Sequence, residues 1–131
     1  MNIQCENNSC DFLIGVGDNF YQDGVTDVDD RRFWGTYENI YGKSSNRKNI
    51  RELDFYHVLG NHDHKLNATA QVIYSLTKNT NFNMPNLWYS FTIEKGPDLT
   101  MTFIMIDTNI MKGSSDSNKL PNSDTFDYRK G

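Results

Sequence analysis

Cysteine and histidine are scarce in this chain, long apolar runs are absent, and no stretch is strongly basic. Two cysteines, Cys5 and Cys10, lie close together near the start. They read more readily as unrelated thiols in a frayed terminus than as a short-loop disulfide, and two cysteines alone do not fix a redox compartment. The three histidines are His57, His62 and His64, with none after them. No segment approaches the ~20 apolar residues of a membrane-spanning helix. The net charge is −4 with mixed signs. No Lys/Arg run is long enough to follow a phosphate backbone, so nucleic acid is excluded as the default partner. Met1 to Glu6 lacks the basic and apolar regions of a signal peptide.

What is present favours a folded chain. A length of 131 residues suits one domain or a piece of one. Aromatic residues make up 13% of it, which argues against disorder. The mean hydropathy of −0.69 reflects abundant Asn, Ser and Asp rather than a missing core. Two sequons, Asn7-Asn8-Ser9 and Asn67-Ala68-Thr69, fit a secreted glycoprotein modified at Asn7 and Asn67; in a chain this rich in Asn, chance supplies such triplets too.

Apolar patterning predicts an α/β arrangement. Asp11 to Val16 is a short apolar run that ends at a glycine and reads as a buried strand. From about Asp27 to Tyr41 the spacing of Phe33, Trp34, Tyr37, Ile40 and Tyr41 predicts a helix, with Thr26 or Asp27 placed to cap it. Gly42 to Arg51 is a polar, basic connector, and Phe55 to Leu59 a second strand. Asn67 to Lys78 predicts a helix with Ala68, Val72, Ile73 and Leu76 inward. Leu87 to Ile93 alternates like a half-buried strand. Thr100 to Ile106 is nearly all apolar, as in a central strand covered on both faces. The remainder, from Lys112, is Ser/Asn/Asp-rich and reads as loop or tail. Strand, helix, strand, helix and two further strands make an α/β domain, and in such sheets sites gather beyond the carboxyl ends of strands.

Two loops that follow strands carry the candidate chemistry. In Gly17-Asp18-Asn19-Phe20-Tyr21 the glycine allows a sharp turn, Asp18 offers two carboxylate oxygens able to bridge two hard cations, and Tyr21 offers a phenolate suited to a ferric ion. An ordinary turn, with Asp18 bonded to its own backbone and Tyr21 packed, accounts for this loop taken alone equally well. In Gly60-Asn61-His62-Asp63-His64 an amide oxygen, an imidazole and a carboxylate fall within one turn. Asn61 is a neutral hard ligand, and His62 can hydrogen-bond a phosphate or protonate a leaving alkoxide. His57, inside the strand, goes to the core or to a neighbouring hydrogen bond, and His64 is a weaker candidate for lining the pocket.

Taken together, Gly-Asp-x-x-Tyr and, some forty residues later, Gly-Asn-His-Asp are similar to the metallophosphoesterase pattern. Protein Ser/Thr phosphatases of that superfamily have Gly-Asp-x-x-Asp-Arg-Gly in the first loop, where this chain has Gly17-Asp18-Asn19-Phe20-Tyr21-Gln22-Asp23. The chain therefore resembles the purple acid phosphatases, and among them the small tartrate-resistant ones. The resemblance runs from about Asp11 to about Gly113. It takes in Arg32-Phe33, Asn67-Ala68-Thr69-Ala70-Gln71 and Phe103 to Thr108.

The resemblance implies part of a metallophosphoesterase β-sandwich flanked by helices, four-layered αββα in the complete family, over 1–113, with a polar tail over 114–131. It implies an Fe(III) and a second divalent metal (Fe, Zn or Mn). Asp18 would bridge them, Tyr21 would bind the ferric ion, Asn61 would bind the second metal, and His62 would contact the phosphate and assist the leaving group. Phosphomonoesters would be hydrolysed best in acid, in a secreted or endomembrane/lysosomal setting. The family also has an upstream Gly-Asp-x-Gly aspartate, a later His and a Gly-His-x-His pair, none of which stands here. The chain is thus expected to be a fragment, lacking the first strand and roughly the C-terminal half of the fold, and inactive alone. The alternatives are a catalytically silent relative that binds or anchors another molecule, and a plain structural α/β module.

Overall fold

The computed structural model describes residues 1–112; the tail expected over 114–131 lies outside them. Helix α1 (Asn2–Asn8) precedes strand β1 (Leu13–Gly15), a π-helix (Phe33–Glu38), strand β2 (Phe55–His57), helix α2 (Thr69–Thr77) and strand β3 (Phe82–Asn83). Strands β4 (Trp88–Lys95) and β5 (Leu99–Ile106) and helix α3 (Thr108–Lys112) complete the series. The α/β class is as the sequence predicts.

The strands form two sheets. β1, β2 and β3 pair in parallel in that order, with Leu13 opposite Phe55 and Phe55 opposite Phe82. β4 and β5 form an antiparallel hairpin in the register Trp88 to Ile106. Because side chains alternate across a strand, β2 sends Tyr56 to one face of the parallel sheet and Phe55 and His57 to the other. Tyr56 stacks on Phe91 of β4 at 3.6 Å between ring centroids, and Phe12 makes edge contacts with Phe91 and Phe103. The hairpin is thereby laid against one face of the parallel sheet. On the other face Phe20, Phe33, Tyr37, Phe55, His57, Tyr74 and Phe82 make an aromatic core beneath the helices.

Several elements differ from expectation for identifiable reasons. The terminal segment expected to fray is α1, and Cys5 and Cys10 are joined as a disulfide. The helix expected from Asp27 starts later: Thr26 to Asp30 is a turn, and Asp30 Oδ1 accepts the backbone N–H of Arg32 at 2.9 Å. Its turns are π-helical, with Asn39 N–H donating to Trp34 C=O at 3.0 Å, and Trp34 is exposed while Phe33 and Tyr37 are buried. In α2 the buried residues are Ala70, Gln71, Val72 and Tyr74, whereas Ile73 and Leu76 are exposed. The Phe33–Tyr74 stack at 3.8 Å and a hydrogen bond from Gln71 to Asp63 hold that face down, which hydrophobicity alone does not reveal. β5 is not covered on both faces among the described residues: Met101, Phe103 and Met105 face inward, and Ile104 is 71% exposed on the outside. The two-residue strand β3 went unpredicted, being too short to show a period.

Candidate metal-binding cleft

β1 and β2 are parallel neighbours, so the loops that leave them start side by side; Val58 N–H still donates to Gly15 C=O at 3.2 Å just past the pairing. The loops then touch backbone to backbone. A Cβ on Gly17 would stand 2.9 Å from the Cα of Gly60, and a Cβ on Gly60 would stand 2.2 Å from Asp18 Oδ1. Gly17 also has φ +102°, a conformation that side chains disfavour, and Asp18 follows at φ +52°, which a short polar residue tolerates. Both glycines of the two motifs are needed for this approach.

Asp63 locks the approach from below. It is fully buried, and its carboxylate accepts the backbone N–H groups of Asn19 (3.0 Å), Phe20 (3.1 Å) and Gly60 (2.9 Å) and the side-chain amide of Gln71 (2.8 Å). Four donors balance the cost of burying the charge. Asn19 extends the network, donating to Val58 C=O and to Gln71 Oε1 at 3.0 Å each. With its amide group so used, Asn19 Oδ1 is the acceptor for His57 Nδ1–H at 3.0 Å. Burial pushes the His57 pKa down to about 3, so the ring stays neutral, and its Nε2 has no partner among the described residues. His57 belongs to the core, as the sequence suggests.

Above this network Asp18, Tyr21 and Asn61 share a cleft of about 510 Å³ whose remaining wall includes Thr108 and Asn109. Asp18 Oδ1 accepts the backbone N–H of His62 at 3.0 Å, and Oδ2 accepts the Tyr21 hydroxyl at 2.6 Å. The Tyr21 bond holds the Asp18 carboxyl below the usual range, against the opposing effect of burial and with help from the His62 amide. The same bond raises the Tyr21 hydroxyl above its ordinary value. A carboxylate and a phenol oxygen this close, with an amide oxygen in the same cleft, suit one hard, oxygen-preferring cation. They do not complete a two-metal centre. No group of three or more His, Cys, Asp or Glu among the described residues is placed to hold a metal ion.

The histidines are engaged elsewhere. His62 Nδ1 meets Gln22 C=O, and its ring lies 4.4 Å from that of Tyr21 between centroids, outside the lining of the cleft. His64 is buried, with Nε2 2.6 Å from Asp107 Oδ2, and so does not line the cleft either. Of the two sequon residues, Asn7 is exposed on α1, while Asn67 is half-buried and donates to Thr26 C=O at 3.1 Å. A larger cavity, about 800 Å³, lies on the outer face of the hairpin beside Trp88 and Ile104 and contains no side chain of either loop. Sequence reasoning passed over Asn19, Gln71, Asp107 and Asn109. None of the four carries a signal in the local pattern; Gln71 lies off the face of α2 that hydrophobicity marks as inward.

No family model matches the chain. Curated relatives do: it is 36% identical over 107 residues to tartrate-resistant acid phosphatase type 5 of Rattus norvegicus, covering 81% of this chain and 31% of that protein. The human protein of the same name gives 37% over the same span. Purple acid phosphatase 7 of Arabidopsis thaliana is 34% identical over 134 residues, covering 98% of this chain and 36% of that protein. The chain belongs with the purple acid phosphatases. It spans about a third of the length of these relatives. Among solved structures, "GAP50 the anchor in the inner membrane complex of Plasmodium" superposes with a TM-score of 0.71 at 27% identity, over 84% of this chain and 36% of that one. The likeness in fold thus extends to a protein described as an anchor.

Proposed function

We propose that the protein carrying this chain is an acid phosphatase that hydrolyses phosphomonoesters at a dinuclear metal site, to which the two loops contribute one wall. Asp18, Tyr21 and Asn61 would help to hold Fe(III) and a second divalent metal (Fe, Zn or Mn), with Asp18 shared between the two, Tyr21 serving the ferric ion and Asn61 the second metal. His62, whose ring stands beside that of Tyr21 at the margin of the cleft, would turn from Gln22 to contact the phosphate and assist the leaving group. The observation that carries this reading is the convergence of Asp18, Tyr21 and Asn61 on one cleft, at the carboxyl ends of adjacent parallel strands.

The metal pair, when bound, supplies an activated water and positive charge for the phosphate oxygens. The chain's own residues hold the frame. The backbone N–H of His62 fixes one oxygen of Asp18. The Tyr21 hydroxyl, bonded to the other oxygen at 2.6 Å, holds the Asp18 carboxyl below its ordinary value. The remaining ligands come from parts of the protein beyond this chain. A secreted or endomembrane/lysosomal location fits the Cys5–Cys10 disulfide, which persists in oxidising compartments. Glycans on Asn7 and Asn67 belong to the same reading.

A second reading is a silent phosphatase fold that anchors another molecule. The likeness to the Plasmodium anchor favours it, as does the engagement of all three histidines away from the cleft. Metal analysis and visible absorption of the protein expressed from its full transcript separate the two. The phosphatase reading expects bound iron with a tyrosinate band that Tyr21→Phe bleaches. It also expects loss of metal and turnover in Asp18→Asn, and slowed hydrolysis with metals retained in His62→Ala. A colourless, iron-free protein, or full turnover in Asp18→Asn, would sink it.

A further inference from the structure

Helix α2 reaches the floor of the cleft through one polar side chain. Gln71 is fully buried, and both ends of its amide are used. Nε2 donates to Asp63 Oδ1 at 2.8 Å, and Oε1 accepts the side-chain amide of Asn19 at 3.0 Å. Asp63 opens a short 3₁₀ turn, Asp63–Lys65, and its other oxygen, Oδ2, accepts two backbone N–H groups. One belongs to Asn19, the residue after Asp18; the other belongs to Gly60, the residue before Asn61. A single oxygen atom is therefore the common reference of the two loops, and rotation of the Asp63 carboxylate moves both. Oδ1 resists that rotation, held by the Phe20 N–H and by Gln71. Among the described residues that donate to Asp63, Gln71 alone comes from a helix; the others belong to the loops themselves. That helix is pinned independently, by the Phe33–Tyr74 stack and by Ser75 Oγ, which accepts the Met84 N–H at 2.8 Å.

We propose that Gln71 is a positioning residue for the metal site: it passes the fixed place of α2 to Asp63 and so sets the spacing of Asp18 and Asn61 as ligands. This rests on the phosphatase reading. Neither Gln71 nor Asp63 lines the cleft, so the influence of both is indirect. Folding alone does not call for an amide here. A methionine is of similar length and fills irregular gaps with no strongly polar atom to satisfy. Each partner of Gln71 would keep another bond: Asp63 Oδ1 keeps the Phe20 N–H, and the Asn19 amide keeps Val58 C=O. What a methionine cannot supply is direction, because an amide donates and accepts along fixed lines whereas a thioether packs in many orientations. Groups behind a metal's ligands orient them, and removing one weakens metal binding by about 10–100-fold.

The test uses the protein expressed from its full transcript and compares the parent with Gln71→Met and Val72→Ala. Val72 is the next residue on α2, buried like Gln71 but outside the network, so its truncation reports loss of packing alone. In the metal-free protein, amide exchange at Asn19 and Gly60 should be about tenfold faster in Gln71→Met than in Val72→Ala. Iron should bind about tenfold more weakly to Gln71→Met and its tyrosinate band should move, while Val72→Ala keeps the affinity and band of the parent. Equal behaviour of the two variants overturns the positioning role, and the phosphatase reading stands as long as the parent holds iron. Faster exchange with unaltered iron affinity and band also overturns it, because Gln71 would then steady the loops without serving the metals. A parent that binds no iron overturns the phosphatase reading and this proposal with it. Should Gln71→Met fail to fold, Gln71→Asn, whose amide falls one methylene short of Asp63, is read in the same way.

Discussion

The parallel sheet with its two loops and the β4–β5 hairpin are held by different means. Around the loops, polar groups are buried and, His57 Nε2 apart, matched: Asp63 takes four donors, the Asn19 side chain bonds three partners and Gln71 bridges the two. The hairpin is held by its ladder, by aromatic stacking on one side, and by the Tyr89 hydroxyl, which donates to His57 C=O at 2.8 Å and Asn83 C=O at 3.0 Å. Its other side is left with exposed Ile104 and Ile106. Hydrogen-bond networks fix directions as well as distances, whereas stacked apolar faces tolerate sliding. Direction is what a ligand cleft requires, and the network lies directly beneath the cleft.

Substitutions can break this contrast. Asp63→Ala strands buried donors from both loops, and chemical denaturation should register a loss of roughly 3–5 kcal/mol, or failure to fold. A loss under 1 kcal/mol would mean that the loops are not held by that carboxylate.

Acid should also act first on the loop side. The unfolded chain takes a proton on His57 near pH 6.5, but the folded chain resists it until about pH 3. The stabilisation from a neutral buried ring is complete above pH 6.5 and erodes as pH falls through that window, by about 1.4 kcal/mol per pH unit. Unfolding free energies at stepped pH should show that slope, and His57→Asn, which keeps a donor toward Asn19, should flatten it. The smallest effect belongs to the hairpin's outer face: Ile104→Thr should leave thermal stability within about 0.5 kcal/mol. A larger loss would reveal a cover for that face.

The sequence made the two loops legible because their chemistry is local. Gly17-Asp18 and Gly60-Asn61 each follow a short apolar run, and strand order brings them together. The two-sheet arrangement followed from the resemblance rather than from periodicity. What stayed hidden depends on partners distant in sequence. Gln71 is buried because Asp63 lies beneath it, and Asp107 because His64 faces it. His64 was expected in the pocket since it adjoins the motif, but one 3₁₀ turn points it the other way. The inward face of α2 was misjudged for the same reason: a hydrogen bond and an aromatic stack chose the face, against the greasier Ile73 and Leu76.

The glycine-to-glycine contact has an evolutionary consequence. Neither Gly17 nor Gly60 has room for even a methyl group against the opposite loop, whatever the protein does for its living. A descendant that abandons hydrolysis is free to lose Asp18, Tyr21 and Asn61 one at a time, but it cannot shed either glycine without reshaping the sheet's edge. Across a lineage the glycines should therefore record ancestry, and the three side chains between and beside them should record occupation.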